Sequence, residues 1–193
     1  MQFRINNLLL ARRSQWRLLL PLLVALCAAG PLSASEPVST EYKLKSVLLY
    51  KLTRFVEWPE QLTRRPGRFK ICLLGRDDFG PALQALEKYQ VAGSSIKVLR
   101  FKQSEQVDTD CRIVFISASK QPFIKSIIKR LDPYPILTVG ESSDFSAQGG
   151  MIQFVLENKK IGFKINLQKA NACKLKIAAP LLQMSTIVKA KQQ

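Results

Sequence analysis

A nearly continuous apolar run in the middle of the chain, CRIVFI at residues 111–116, constrains the fold more than any other feature. Runs of this kind are typical of strands that are buried on both faces, and such strands occur in parallel sheets covered by helices. Further short runs rich in β-forming residues lie at 69–74, 96–101 and 136–139. The chain therefore offers four strands for one buried sheet.

Helical periodicity occurs before and between these strands. Residues 41–58 place apolar side chains at i, i+3 and i+4 spacing, and Pro59 is expected to end that helix. Shorter helices are predicted from Pro81 through Leu86 and over residues 123–131. The alternation predicts a single α/β domain with an open, mostly parallel, Rossmann-like or flavodoxin-like sheet and helices on both faces. The residues of the first helix expected to face the core are Leu44, Val47, Leu48, Leu52, Phe55 and Val56.

The C-terminal part departs from this alternation. Residues 151–156 and 161–167 are two β-rich runs joined by a turn at Asn158, which predicts an antiparallel hairpin on the sheet. A last helix is expected from about residue 175 to 189, with Pro180 either kinking it or marking its start.

The first 35 residues have the layout of a cleavable signal peptide. Four arginines precede an apolar run at 18–29, and Ser33, Ala34 and Ser35 follow it. The alternative is a membrane anchor, but the run is shorter than the ~20 residues that a spanning helix needs. We predict a signal peptide over residues 1–35 and an exported domain over 36–193.

The charge of the chain is strongly basic. The sequence has 30 lysines and arginines against 14 acidic residues, and the predicted leader holds four of the arginines and no acid, so 26 against 14, or +12, remains. Such a charge often indicates nucleic-acid binding, but the basic residues are spread along the chain and an exported protein does not meet nucleic acid. An acidic partner or an anionic envelope surface is the better expectation.

The sequence argues against an enzyme. It contains no histidine, which excludes Ser-His-Asp and Cys-His triads, HExxH zinc sites and histidine general bases. The phrase GRDDFG at 75–80 lies where phosphates bind in nucleotide folds, but Asp77 and Asp78 would repel a phosphate and are too few to hold Ca²⁺. A capped helix start is the expected role of this phrase. We predict no catalytic residue, metal site or cofactor.

Four serines follow the predicted third and fourth strands. The carboxyl ends of parallel strands form the usual ligand-binding edge of an open sheet, so these serines are candidates for lining a small-molecule or partner cleft. Helix capping and turn formation are the simpler explanation. The four residues are Ser117, Ser119, Ser142 and Ser143.

Taken together, four stretches of the chain resemble the YfiR-like family, and they span nearly the whole exported part. They are KSVLLYKLTRFVEWP at 45–59, FKICLLGRDDFGPALQAL at 69–86, CRIVFISAS at 111–119 and GGMIQFVLENKKIGFKINLQKA at 149–170. The most specific parts are FVEWP at a helix end and GGMIxF followed by an FxIN strand.

The resemblance implies a periplasmic protein that represses a membrane-bound diguanylate cyclase by contact with its periplasmic sensory domain, which lowers cyclic-di-GMP and biofilm formation. It also implies control by a peptidoglycan-associated outer-membrane lipoprotein, and it is compatible with a homodimer. The alternative is a periplasmic small-ligand sensor, or an accessory protein of another membrane receptor. That alternative is favoured if the serine-bearing loops enclose an apolar pocket.

Three cysteines follow the leader, namely Cys72, Cys111 and Cys173. An exported protein permits one disulfide and one remaining thiol, and spacing alone does not select the pair. The family resemblance implies a Cys72–Cys111 disulfide. A second bridge seen in some relatives would need cysteines before and after Gly149, and the sequence has none there, which puts redox control in doubt.

The first helix end and the hairpin are the predicted partner-contact regions. The helix end combines aromatic side chains with a charge, a composition typical of interface hot spots, although Phe55 and Trp58 also suit the core. Phe163 is expected to face inward, and Asn166 either satisfies backbone groups or binds the partner. The candidate contact residues are Phe55, Glu57, Trp58, Pro59, Phe163 and Asn166.

Overall fold

An eight-stranded mixed sheet forms the centre of the structure. The structure is a computed structural model, and it describes residues 39–63 and 67–189. The predicted signal peptide lies outside the described residues. The helices are α1 (Thr40–Phe55), α2 (Glu60–Thr63), α3 (Pro81–Gln84), α4 (Ile124–Leu131), α5 (Leu167–Ala172) and α6 (Ala179–Gln183). The strands are β1 (Val56–Glu57), β2 (Phe69–Leu74), β3 (Gln90–Val91), β4 (Ser94–Phe101), β5 (Cys111–Ile116), β6 (Leu137–Gly140), β7 (Ile152–Glu157), β8 (Lys160–Ile165), β9 (Lys176–Ile177) and β10 (Ser185–Ile187).

The sheet has the order β10-β8-β7-β6-β5-β2-β4-β3. Its five central strands, β4, β2, β5, β6 and β7, are all parallel to their neighbours in this series. Numbered along the chain, these five strands have the order 2-1-3-4-5, which is the flavodoxin-like order. The predicted open, mostly parallel sheet is confirmed.

Both faces of the sheet are buried because side chains alternate along each strand. On β5, Ile113 and Phe115 belong to a core cluster that includes Leu49 of α1. Val114 belongs to a second cluster that includes Ile127 of α4. Helices therefore cover both faces, as the sequence predicts. No helix among the described residues is long and apolar enough to cross a bilayer.

The predicted C-terminal hairpin is also confirmed. Strands β7 and β8 pair antiparallel, with Phe154 opposite Phe163. Asn158 and Lys159 form the turn with φ values of 50° and 61°, and two successive positive φ angles are the signature of the tight turns that suit the twist of a hairpin.

The predicted helix over residues 175–189 is wrong. The segment instead contains β9, the short helix α6 and β10. Pro180 lies in the first turn of α6 rather than kinking a longer helix, since its missing N–H costs nothing there. Thr186 and Ile187 are β-branched and pair in parallel with β8. The helix α5 was not predicted, and it begins directly after Asn166, whose side chain accepts a hydrogen bond from Lys169 N.

The first helix also differs from its prediction. It ends at Phe55, because Val56 and Glu57 leave the helix to pair antiparallel with β9. Its predicted core stripe is only partly right: Leu52 and Val56 are buried, but Leu44 and Val47 are exposed. The positions that α1 buries are Lys45, Ser46, Leu49, Leu52 and Thr53.

Candidate functional site

Charged side chains converge where the central strands end. The ammonium group of Lys45, on α1, bonds the carboxylates of Glu41 and Glu141, the latter placed directly after β6. The hydroxyl of Tyr42 donates to Glu141 Oε1 at 3.0 Å. The Lys45 Nζ also lies 4.5 Å from the centroid of the Tyr42 ring, within the range of a cation–π contact. Two residues of one turn of α1, Tyr42 and Lys45, thus donate hydrogen bonds to the buried carboxylate of Glu141, which lies in a loop distant in sequence.

The surroundings of Tyr42 keep its hydroxyl protonated. Burial, and after it the negative charge of Glu141, raise the pKa of Tyr42 far above its ordinary value. The ring packs edge-on against Phe79 with centroids 5.1 Å apart. Tyr42 is therefore a fixed hydrogen-bond donor.

The two aspartates of the GRDDFG phrase are also bonded within the protein. Asp77 Oδ1 accepts from the backbone N–H groups of Phe79 and Gly80, each at 2.9 Å, and its other oxygen accepts from Arg100 Nε at 2.6 Å. Asp78 accepts from Arg76 Nε at 2.9 Å. The phrase thus forms a hydrogen-bonded turn directly before α3. The capped helix start expected from the sequence is wrong, because Gly80, the N-cap residue of α3, has no side-chain cap hydrogen bond.

The four serines lie at the predicted edge of the sheet, but the hydroxyls of three of them bond locally. Ser117 is buried, and its hydroxyl lies 3.2 Å from the hydroxyl of Ser119, which also accepts from Arg76 N at 2.9 Å. Ser143 accepts from Gln121 Nε2 at 3.3 Å. Ser142 is buried, with a hydroxyl that has no hydrogen-bond partner. None of the four lines the cavities described below, so their role as a ligand cleft stays a prediction.

A cavity of about 540 Å³ lies beside the end of α1. Glu57 and Trp58 line it, and Arg68 and Lys70 contribute cationic side chains. The indole of Trp58 is buried, donates to the carbonyl of Arg112 at 3.2 Å and meets the Phe69 ring edge-on. Trp58 is therefore part of the core as well as a wall of the cavity.

The other candidate contact residues are divided between a second groove and the interior. Phe55 and Phe163 line a groove of about 670 Å³ along α1. Asn166 is fully buried, since its side chain donates to the carbonyl of Ser146 at 3.2 Å and caps α5. Pro59 is half-buried. The structure thus groups Phe55 with Phe163 and Glu57 with Trp58, and it places Asn166 in the interior. A role of these residues in partner contact stays a prediction.

A family model described as YfiR/HmsC-like matches residues 42–186. The chain belongs to the YfiR/HmsC-like family. The match begins in α1 and ends in β10, so it spans almost all of the described fold. Proteins of this family are periplasmic regulators associated with diguanylate cyclase signalling rather than enzymes.

Two solved structures share the fold of this YfiR/HmsC-like chain. One is a conserved domain protein from Vibrio cholerae, with a TM-score of 0.55 and 11% identity over 77% of this chain and 60% of that one. The other is an ABC domain from Streptococcus pneumoniae in complex with L-Trp, with a TM-score of 0.51 and 9% identity over 76% of this chain and 60% of that one. The chain spans 60% of either structure, and these likenesses concern the fold alone. No curated protein matched the sequence.

The disulfide that the family resemblance implies is present. Cys72 on β2 and Cys111 on β5 are bonded, with Cα atoms 6.1 Å apart, and both lie in the core cluster that α4 covers. Cys173 is a buried free thiol. Burial raises its pKa, which keeps this thiol protonated and poorly reactive.

The Lys45–Glu141 pair is the main feature that sequence reasoning missed. A weak signal existed, because Lys45 shares the 3.6-residue spacing of Leu49 and Leu52, two of the residues that α1 buries. A lysine in register with buried leucines predicts either an exposed ammonium at the edge of the core or a buried partner. The partner, Glu141, could not be identified because it lies 96 residues away.

Proposed function

We propose that this protein is a periplasmic regulator that binds the periplasmic sensory domain of an inner-membrane diguanylate cyclase and represses it. Repression lowers cyclic-di-GMP output and therefore biofilm formation. The observation that carries the proposal is the match of residues 42–186 to the YfiR/HmsC-like family.

The bonding at the carboxyl edge of the sheet supports binding rather than catalysis. Acid–base or nucleophilic chemistry needs a reactive group that can reach a substrate. Here the carboxylates of Asp77 and Glu141 accept from Arg100 and Lys45, and their bonds join elements of the fold. These groups stabilise the domain, which leaves its surface for recognition.

The charge of the exported part supports an acidic partner. Outside the predicted signal peptide, the 26 basic residues exceed the 14 acidic ones by 12. Such an excess speeds encounter with an acidic domain and disfavours basic ones. The proposal includes control by a peptidoglycan-associated outer-membrane lipoprotein, which the family resemblance implies.

Export through a signal peptide over residues 1–35 completes the proposal. Two observations support it: the family is periplasmic, and the Cys72–Cys111 bond belongs to an oxidising compartment. A variant that lacks residues 1–35 provides the matched control, because it keeps the whole described domain in the cytoplasm.

The test measures cyclic-di-GMP in cells with the gene deleted, restored, or restored without residues 1–35, each with and without the candidate cyclase. Deletion should raise cyclic-di-GMP, and only the exported form should lower it again. The rise should vanish when the cyclase is absent, and a periplasmic pull-down should recover the cyclase. Unchanged cyclic-di-GMP on deletion, with no cyclase recovered, would reject the proposal.

A second candidate function is a small-ligand sensor, and the cavity beside Trp58 favours it. The cavity combines an aromatic wall with carboxylates and cations, and about 540 Å³ is within the range of ligand pockets. Trp58 is the only tryptophan after the predicted leader, so its fluorescence reports on this cavity directly. A panel of free amino acids should shift that emission saturably if the cavity binds zwitterions, and unchanged emission across the panel would reject such ligands.

A further inference from the structure

The helix α1 carries two apolar faces, and the fold fully buries only one of them. Leu49 and Leu52 point into the core and are fully buried. Leu44 and Val47 point outward, with 43% and 45% of their surfaces exposed, and Leu48 is half-buried beside them. Positions 44, 47 and 48 lie on one side of a helix, as i, i+3 and i+4. Within the described structure, Leu44 and Val47 stay exposed, while Leu48 packs against the edge of the core cluster.

Two residues of this outward face, Val47 and Leu48, line the groove of about 670 Å³. We call it the α1 groove and define it by Val47, Leu48, Phe55, Tyr89, Phe163 and Met184. Tyr89 and Met184 line the groove from outside α1, and they are 50% and 62% exposed. Apolar side chains grouped in this way mark an interaction site more often than scattered ones do.

The rim of the α1 groove is basic. The charged residues that line it are Lys51 and Arg54, both exposed. The Arg54 guanidinium lies 5.8 Å from the centroid of the Tyr50 ring, which in turn stacks on Tyr89 at 4.9 Å. Lys88, next to Tyr89 in the chain, is also exposed. The cations thus lie beside the apolar floor.

This charge pattern favours one kind of binding partner for the α1 groove over another. A second copy of the chain, docked about a two-fold axis, would use the same patch on both sides and would bring the basic rims of both copies, each with Lys51 and Arg54, into one interface. Like charges across an interface are costly. A segment with an apolar stripe flanked by carboxylates instead matches both the floor and the rim. A groove lined along one wall by a helix suits an amphipathic helix, which offers side chains at i, i+3, i+4 and i+7.

We infer that the α1 groove is the docking site for an acidic amphipathic helix of a protein partner. This inference rests on the proposed function in taking that partner to be the sensory domain of the repressed cyclase. Val47 of α1 and Met184 after α6 supply apolar contact, and Lys51 pairs with a carboxylate at the rim. The groove thereby adds α1 residues N-terminal to Phe55 to the contact surface.

The first experiment measures binding of a fluorescent synthetic amphipathic helix, with leucines on one face and glutamates beside them, to the chain from residue 36 onward. Val47→Asp and Met184→Asp should each weaken binding about tenfold or more. Lys51→Glu should weaken it and favour a peptide with lysines in place of the glutamates. Phe123→Asp is the matched control, because Phe123 is 58% exposed, lies outside the groove and precedes α4, where an acidic residue is tolerated. All variants should melt like the wild type.

The second experiment uses the same variants to restore the deleted gene in cells. Val47→Asp and Lys51→Glu should fail to lower cyclic-di-GMP at equal protein level, whereas Phe123→Asp should succeed. If the groove variants repress normally and bind the peptide normally, the groove inference is overturned while the proposed function stands. If the deletion itself changes nothing, the proposed function fails, and the peptide measurement still decides the groove. If light scattering gives the mass of a dimer for the wild type and of a monomer for Val47→Asp, then the occupant of the groove is a second copy of the chain instead.

Discussion

Lys45 of α1 and Glu141 after β6 form an ion pair whose side chains are only 5% and 8% exposed. Removing one member of a buried pair leaves an uncompensated charge, whereas removing both charges is far less costly. The pair ties the first helix of the domain to the carboxyl edge of the sheet, so its contribution is measurable as global stability.

We predict that Lys45→Met lowers the free energy of unfolding by about 3–5 kcal/mol. The double variant Lys45→Met with Glu141→Gln should be more stable than the single one, since Gln still accepts from Tyr42 and carries no charge. Urea denaturation of the chain from residue 36 onward measures both. Lys43→Met, at an exposed position of the same helix, should change stability by less than about 0.5 kcal/mol. A double variant no more stable than Lys45→Met would contradict the assignment of the loss to an unpaired Glu141.

The disulfide gives a second prediction. Cys72 and Cys111 are 39 residues apart, and a loop of that length corresponds to about 4 kcal/mol of stabilisation in the chain-entropy model. Cys72→Ala with Cys111→Ala should lower stability by about that amount and abolish the effect of reductant on urea denaturation. Cys173→Ala should keep the reductant sensitivity of the wild type, because its thiol is unpaired. If reductant still changes the urea denaturation of the double variant, the effect must come from Cys173 instead.

The centre of the fold was predictable from local patterns, and the C-terminal part was not. Strand β5 is buried on both faces, and its apolar run predicts this without other information. The segment after α5 consists of elements of two to five residues. Strands of this length are fixed by distant pairing, such as Val56 with Ile177 and Ser185 with Phe163. Periodicity within a short window does not contain that information.

The candidate surfaces were predictable only in part, for a similar reason. Helix α1 has one stripe through Leu44, Val47 and Leu48 and another through Lys45 and Leu49. The first stripe is the more apolar, so local reasoning assigns it to the core. The fold buries the second stripe, because Lys45 forms an ion pair with Glu141 on that side of the helix. The exposed apolar stripe can be identified only once the structure shows which of the two stripes is buried.

The ring of Phe145 provides a third prediction, because it lies directly against two glycines. A Cβ atom at Gly150 would be 2.1 Å from Phe145 Cε1, and one at Gly140 would be 2.5 Å from Cδ2. Gly150→Ala should therefore destabilise the protein by about 1–3 kcal/mol or more, measured by thermal melting. Adding Phe145→Leu should recover part of the loss. Gly162→Ala is the control, since its nearest contact would be an ordinary 3.9 Å; an equal loss there would point to a general intolerance of alanine.

The last prediction concerns Tyr42. Its burial and the nearby charge of Glu141 raise its pKa far above the ordinary value. In the unfolded chain Tyr42 titrates near its usual pKa of about 10, so above that pH the folded state retains a proton that the unfolded state loses. The contribution of Tyr42 to stability is therefore complete below pH ~10 and falls as the pH rises further.

Absorbance titration of the folded protein should show a last step of tyrosine ionisation well above pH ~10, which is that of Tyr42. Tyr42→Phe should remove that last step and flatten the fall in stability above pH ~10. Tyr134→Phe is the matched control, since Tyr134 is partly exposed, and it should leave the last step in place. If Tyr42→Phe leaves the late step unchanged, then another tyrosine carries it, and the Tyr42–Glu141 bond does not hold the proton.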